Sequence, residues 1–214
     1  MNYSFRKKNK KVKYIVIHYT GMESFKRAIS KLNNLNSDVS CHYLISKSGL
    51  IFNLLCPSFK AWHAGKSQWK DVKNLNDYSV GIELENKGHD HGYNNFSSNQ
   101  YSSLKKLITF LNKNFQIQHQ NIIFHSDISP NRKRDPGEKF LIHKAGICRF
   151  KNYIPYKKNY SISDLLKIYG FSNFYLKKYK SYCIMAVKRS LNYREINNKI
   201  DNKFKLDFYN LLFK

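Results

Sequence analysis

Short runs dominated by β-branched and aromatic residues constrain this chain most: Lys13 to His18 (KYIVIH), Val80 to Glu85 (VGIELE) and Asn121 to His125 (NIIFH) each read as a buried strand. In VGIELE the period of two sets Ile82 and Leu84 on one face and Glu83 and Glu85 on the other. Cys41 to Ser46 and Leu50 to Leu55 flank Lys47-Ser48-Gly49, where glycine supplies the permissive backbone, and so predict a β-hairpin. Helical patterns lie between the strands. Glu23 to Leu35 places apolar residues at Phe25, Ile29 and Leu32, and Ser97 to Phe115 carries Tyr101, Leu104, Leu107, Ile108 and Leu111 on one stripe behind Ser97 as N-cap. Strands alternating with helices imply an α/β fold with a mixed central β-sheet flanked by helices.

The pattern changes late in the chain. A first domain, residues 1–150, ends near Phe150, and a linker at Asn152 to Asn159 carries Pro155. Beyond it come helices alone: Ser161 to Tyr169, stopped by Gly170, then Tyr175 to Leu191, then Asp201 to Phe213. Residues 151–214 therefore read as a small all-α bundle packed on the first domain, since a lone core of that size would be marginal.

Composition removes several alternatives. No apolar run approaches the ~20 residues that cross a bilayer. The dispersed Cys41, Cys56, Cys148 and Cys183 form no C-x-x-C pair, so scattered buried thiols are expected rather than a zinc knuckle or a disulfide framework. Lys and Arg number 38 against 14 Asp and Glu, a net charge of +24. That excess suits an anionic partner, but the chain is equally crowded with Asn, Ile, Tyr and Phe, the set that AT-rich codons encode. Charge alone does not choose between these readings, and no motif specific for nucleic acid accompanies it. Met1 to Lys13 is polar and basic and Tyr14 to Ile17 is too short for a secretory h-region, which favours a cytoplasmic protein, with a periplasmic one as the alternative. Nothing suggests more than a monomer.

The residues that could carry chemistry cluster at element ends. His18 and His125 each close a hydrophobic strand, and Asp135 follows in a loop bounded by Pro130, Pro136 and Gly137. Two imidazoles and one carboxylate would give Zn²⁺ three protein ligands and leave a fourth position open, the arrangement of catalytic zinc.

The surrounding words raise the specificity. IVIHYT at Ile15 to Thr20, SCHYLISKSG at Ser40 to Gly49, AWHAGKSQW at Ala61 to Trp69, LNDYSVGIELEN at Leu75 to Asn86 and FHSDISPNRKRDPG at Phe124 to Gly137 occur in this order. In these stretches the sequence resembles the zinc N-acetylmuramoyl-L-alanine amidases of the amidase-2 group, which also holds phage T7-type lysozyme and the peptidoglycan recognition proteins. The last motif is most similar to the AmpD and AmiD branch. The resemblance implies that His18, His125 and Asp135 hold one Zn²⁺ per chain, that Glu83 is the general base, and that Lys133 presents its ammonium to the developing oxyanion. It further implies that Trp62 and His63 line the substrate cleft, and that Arg132 and Arg134 face solvent or substrate carboxylates. Where the phage branch has a tyrosine, this chain has Cys41, so Glu83 carries the base role alone. His42 is expected to be a packed residue behind the site, and Asp127 to orient a histidine ligand through its ring N–H. His89, His91, His119 and His143 are expected at the surface.

The implied reaction is hydrolysis of the amide between N-acetylmuramic, or 1,6-anhydro-N-acetylmuramic, acid and L-alanine in peptidoglycan fragments, for cell-wall turnover or recycling. The rival classes are a module that binds such muropeptides without cutting and a nucleic-acid binder. DLLKIYGF at Asp164 to Phe171 adds a resemblance to the helical peptidoglycan-binding-like domain of AmiD-type enzymes, whereas Lys177, Lys178, Lys180, Lys188 and Arg189 read equally as a basic solvated face.

Overall fold

The computed structural model describes residues 2–149 and 160–213; the expected linker and domain boundary lie outside them. In chain order the elements are β1 (Tyr3–Phe5), β2 (Tyr14–Tyr19), α1 (Phe25–Asn33), β3 (Tyr43–Ile45), β4 (Ile51–Asn53), β5 (Phe59–Ala61), β6 (Gln68–Trp69), β7 (Val72–Lys73) and β8 (Ser79–Leu84). They continue with α2 (Ser98–Phe115), β9 (Ile122–Phe124), the single turn α3 (His125–Ile128), α4 (Ile162–Tyr169), α5 (Asn173–Ser190) and α6 (Asn202–Phe213). Among the described residues, no helix is long and apolar enough to cross a membrane.

The central sheet runs β4-β3-β8-β2-β9, with β4 antiparallel to β3 and the other neighbours parallel. Alternation along the strands gives this mixed sheet two different faces. Ile15, Ile17, Val80, Ile82, Leu84, Ile122 and Phe124 pack on one side against the α2 stripe Tyr101, Leu104, Leu107, Ile108 and Leu111. Ser97 caps α2, its hydroxyl accepting from the Gln100 amide while the Gln100 side chain accepts from the Ser97 amide, so the sequence stop and start signals have a direct physical counterpart.

Tyr14, Val16 and Ile123 face the other way, into an apolar cluster shared with the C-terminal helices. Trp69 meets Tyr169 and Phe171 in edge-on contacts at 5.6 and 5.7 Å, and Phe204 and Phe208 fill the same core. Gly170 ends α4 at φ 137°, and a Cβ there would lie 2.3 Å from the Trp69 ring. A glycine thus serves two constraints at once, the helix stop and the close approach of an indole. α5 is bent at Tyr179, whose backbone leaves the helical region. The short strands β1, β5, β6 and β7 escape a reading by periodicity because runs of two or three residues carry too little of it. The thiols also depart from expectation: Cys41 and Cys183 are buried, but Cys56 and Cys148 are exposed.

Candidate metal centre and its cleft

β2 and β8 are in parallel register with His18 opposite Glu83, so both side chains emerge beside each other on the face away from α2. His125 follows β9 directly, as the first residue of α3 rather than the last of the strand. The Ser126 amide donates to the Asp135 carbonyl at 3.0 Å, which folds the loop back and brings Asp135 over His125. These residues collect at the carboxyl ends of parallel strands, where open α/β sheets place their ligands.

His18 Nδ1, His125 Nδ1 and Asp135 Oδ2 converge: the two nitrogens are 2.9 Å apart and each is 3.0 Å from the carboxylate oxygen. All three residues are buried. Three donor atoms aimed at one shielded point are a poor arrangement without a cation between them, because lone pairs of like polarity face each other in a low dielectric. Neutral imidazole and carboxylate are ligand types that suit zinc. The residues therefore fit the implied metal.

Glu83 stands beside the group, partly buried, with Oε2 shielded and without a hydrogen-bond partner among the described residues. Burial, reinforced by the Asp135 charge and opposed by Lys133, pushes its carboxyl well above the usual range. Asp135 behaves oppositely: burial alone would raise it, but the close imidazoles of His125 and His18 hold it well below the carboxylate range. The two carboxyl groups are thus driven apart, one into a fixed anion and the other into a proton carrier. Burial, aided by the neighbouring His125, lowers His18 to about 4, so its ring is neutral and available as a ligand at physiological pH.

An open cleft borders the centre, with His63, Lys133, Arg132 and Arg134 in its wall together with the ligand group and Glu83. The Arg132 and Lys133 amides both donate to the Ser129 carbonyl at 3.0 Å, a tight turn that sends the two side chains outward. Arg132 is exposed and donates to Lys66 O and Ser129 Oγ, and Arg134 pairs with Asp90. Trp62 is half-exposed, its Nε1–H donating to Ser4 Oγ at 3.3 Å; the cleft wall takes its neighbour His63. Asn76 Oδ1 accepts from the His63 and Ala64 amides at 3.1 and 2.7 Å, holding this turn against the sheet. Burial and the nearby His18 lower His63 well below its ordinary value.

His42 is a packed residue: its Nδ1 accepts from the Gly81 amide at 3.0 Å and its Nε2 lies 3.1 Å from Phe59 O. Asp127 departs from expectation, for it hydrogen-bonds to no histidine among the described residues. It accepts from the Phe124 amide at 2.9 Å, Arg149 at 2.7 Å and the Tyr169 hydroxyl at 2.8 Å, all buried, and so ties α3 to the C-terminal helices. A carboxylate three residues into a turn, next to a buried arginine, is an N-terminal cap before it is anything else. His89, expected at the surface, is only partly exposed: it stacks on Tyr93, lies 2.8 Å from Tyr19 Oη and 3.1 Å from Glu138 Oε2. Glu85 accepts from the Lys47 amide at 2.6 Å and steadies the hairpin turn. Sequence reading passed over Gly81, although a glycine inside a buried strand signals close approach; a Cβ there would lie 2.4 Å from His63 Cγ.

Fold and site together define an α/β protein in which two histidines and one carboxylate, a group able to hold a metal ion, face an open cleft. The chain belongs to the N-acetylmuramoyl-L-alanine amidase family, which matches residues 8–138, more than half of its length. It is 34% identical over 142 residues to N-acetylmuramoyl-L-alanine amidase AmiD of Escherichia coli (strain K12), covering 61% of this chain and 50% of that protein. It is 39% identical over 103 residues to 1,6-anhydro-N-acetylmuramyl-L-alanine amidase AmpD of Haemophilus influenzae, covering 48% and 54%. The chain thus spans about half the length of the curated relatives it matches. The solved complex of Escherichia coli AmiD with the substrate anhydro-N-acetylmuramic acid-L-Ala-D-gamma-Glu-L-Lys aligns at a TM-score of 0.75 and 26% identity, over 96% of this chain and 91% of that one.

Proposed function

We propose that this protein is a zinc-dependent amidase that hydrolyses the bond between N-acetylmuramic, or 1,6-anhydro-N-acetylmuramic, acid and L-alanine in peptidoglycan fragments. The observation that carries the reading is the convergence of His18, His125 and Asp135 within 3.0 Å of one another, with Glu83, whose Oε2 has no partner among the described residues, beside them at the cleft. The substrate named for the aligned AmiD complex supports the choice of bond.

His18, His125 and Asp135 would hold the zinc, which when bound would supply Lewis acidity for the scissile carbonyl and lower the pKa of water at the site. Glu83, a carboxylate of raised proton affinity, takes the proton of the attacking water and hands it to the departing amine. Lys133 brings an ammonium to the cleft wall, where negative charge develops on the carbonyl oxygen. Arg132, exposed in the same wall, offers a planar cation to the carboxylates of a stem peptide.

Incubation with anhydro-muropeptide and with the reduced muropeptide, followed by mass spectrometry, tests the reading. Release of intact stem peptide with a free L-alanine amine is the expected result. Binding of either fragment without release would replace the amidase by a recognition module.

A further inference from the structure

We propose that His63 and Ser79 form a positioning relay that fixes which nitrogen of His18 carries a proton and thereby presents Nδ1 to the metal; the inference rests on the metal reading above. The relay is visible as a chain of contacts. His18 Nε2 lies 3.0 Å from His63 Nδ1, His63 Nε2 lies 3.2 Å from Ser79 Oγ, and the Ser79 hydroxyl donates to the Leu75 carbonyl at 2.6 Å. Ser79 is fully buried, and His18 and His63 are nearly so.

The proton order follows from the end of the chain. A backbone carbonyl only accepts, so the single Ser79 proton is committed to Leu75 and the hydroxyl oxygen must accept from His63 Nε2–H. A neutral imidazole protonated on Nε2 has its lone pair on Nδ1, which accepts from His18 Nε2–H. His18 then keeps its own lone pair on Nδ1, the atom that faces His125 Nδ1 and Asp135 Oδ2. A hydrogen-bond partner on the far nitrogen of a ligating histidine holds both tautomer and ring angle, normally through a carboxylate or carbonyl. Here a second histidine carries that constraint to a carbonyl one step further away.

The surrounding backbone is shaped for the relay. Asn76 Oδ1 grips the amides of His63 and Ala64, so the imidazole is placed from behind. At Gly81 an added Cβ would sit 2.4, 2.6 and 2.7 Å from His63 Cγ, Cδ2 and Nδ1, and no rotation of a rigid ring relieves all three contacts. The glycine of β8 leaves the space that the His63 ring fills. His125 has no such support, since its Nε2 is buried without a partner among the described residues.

The test combines nitrogen NMR with zinc affinity. Long-range proton–nitrogen correlation on the metal-free wild-type protein at pH 8 should show His18 protonated on Nε2 and His63 protonated on Nε2. Zinc affinity, measured by competition with a chromogenic chelator, should fall roughly 10–100-fold in His63→Leu. His63→Asn returns an acceptor near the Nδ1 position and should recover much of that loss, whereas Gly81→Ala should weaken zinc as His63→Leu does. A His18 proton on Nδ1, or folded His63→Leu protein that binds zinc within roughly twofold of wild type, overturns the relay. Failure of wild type to take up zinc overturns instead the metal reading on which it rests.

Discussion

Replacing Asp127 by alanine removes the acceptor of several buried donors at once. Arg149 loses its Asp127 contact at 2.7 Å, the Phe124 amide loses its cap at 2.9 Å, and the Tyr169 hydroxyl keeps Ser190 Oγ at 2.8 Å and the Arg149 Nη1 donor at 3.3 Å. Breaking a buried ion pair from one side costs about 3–5 kcal/mol because the remaining charge stays desolvated. The orphaned amide adds about 1–3 kcal/mol, while Tyr169 contributes little because it retains a partner. A loss near 5 kcal/mol would consume a third or more of the ~5–15 kcal/mol that holds a typical domain. For a chain of this size it corresponds to a drop in Tm of roughly 10–20 °C. Urea denaturation of both proteins gives the free-energy difference directly. Removing both charges, in Asp127→Leu with Arg149→Met, should cost less than Asp127→Ala alone, since the ion pair is then lost from both sides. His125 opens the same helical turn, so zinc affinity should fall together with stability. A loss below ~1 kcal/mol, the size of an exposed pair, would refute the view that Asp127 clamps the C-terminal helices to the turn that carries His125.

Further expectations concern the chemistry. Glu83→Ala should retain zinc by metal analysis yet lower kcat by roughly 10²–10⁴-fold, the usual span for a general base; an unchanged rate removes Glu83 from the reaction. Lys133→Ala should cost about 10²–10³-fold in kcat, the effect of one lost oxyanion donor, with zinc content intact. Burial of His42 lowers it to about 3, so the unfolded chain takes up a proton near pH 6.5 that the fold refuses. Stability of the metal-free protein should therefore be full above pH 6.5 and decline as pH falls towards 3, by up to ~1.4 kcal/mol per pH unit for that ring. Denaturation series at pH 7.5, 6 and 5 in order of falling pH would measure the slope; a flat profile contradicts the buried neutral histidine.

The parts legible in the sequence are those where one residue satisfies one dominant demand. The α2 stripe and its Ser97 cap were readable because burial and capping act over neighbouring positions. Strands ending near His18 and Glu83 could be anticipated from short β-branched runs and a familiar set of motifs, whereas their parallel pairing could not. Asp127 was misread because a carboxylate between a histidine and a proline-rich loop suits either a ligand's support or a helical cap, and the deciding partners, Arg149 and Tyr169, come 22 and 42 residues later. Gly81 and Ser79 were passed over because their role depends on the His63 ring, which reaches them from a separate turn. Long-range contacts of this kind leave no local period or composition to detect.

The most direct measurement strips the protein with a chelator, returns zinc in steps, and follows release of stem peptide from anhydro-muropeptide. Activity that disappears on stripping and returns in full at one zinc per chain is the expected result, with His18→Ala, His125→Ala and Asp135→Ala each failing to recover. Hydrolysis that survives complete removal of metal would contradict the assignment of His18, His125 and Asp135 as the reactive centre.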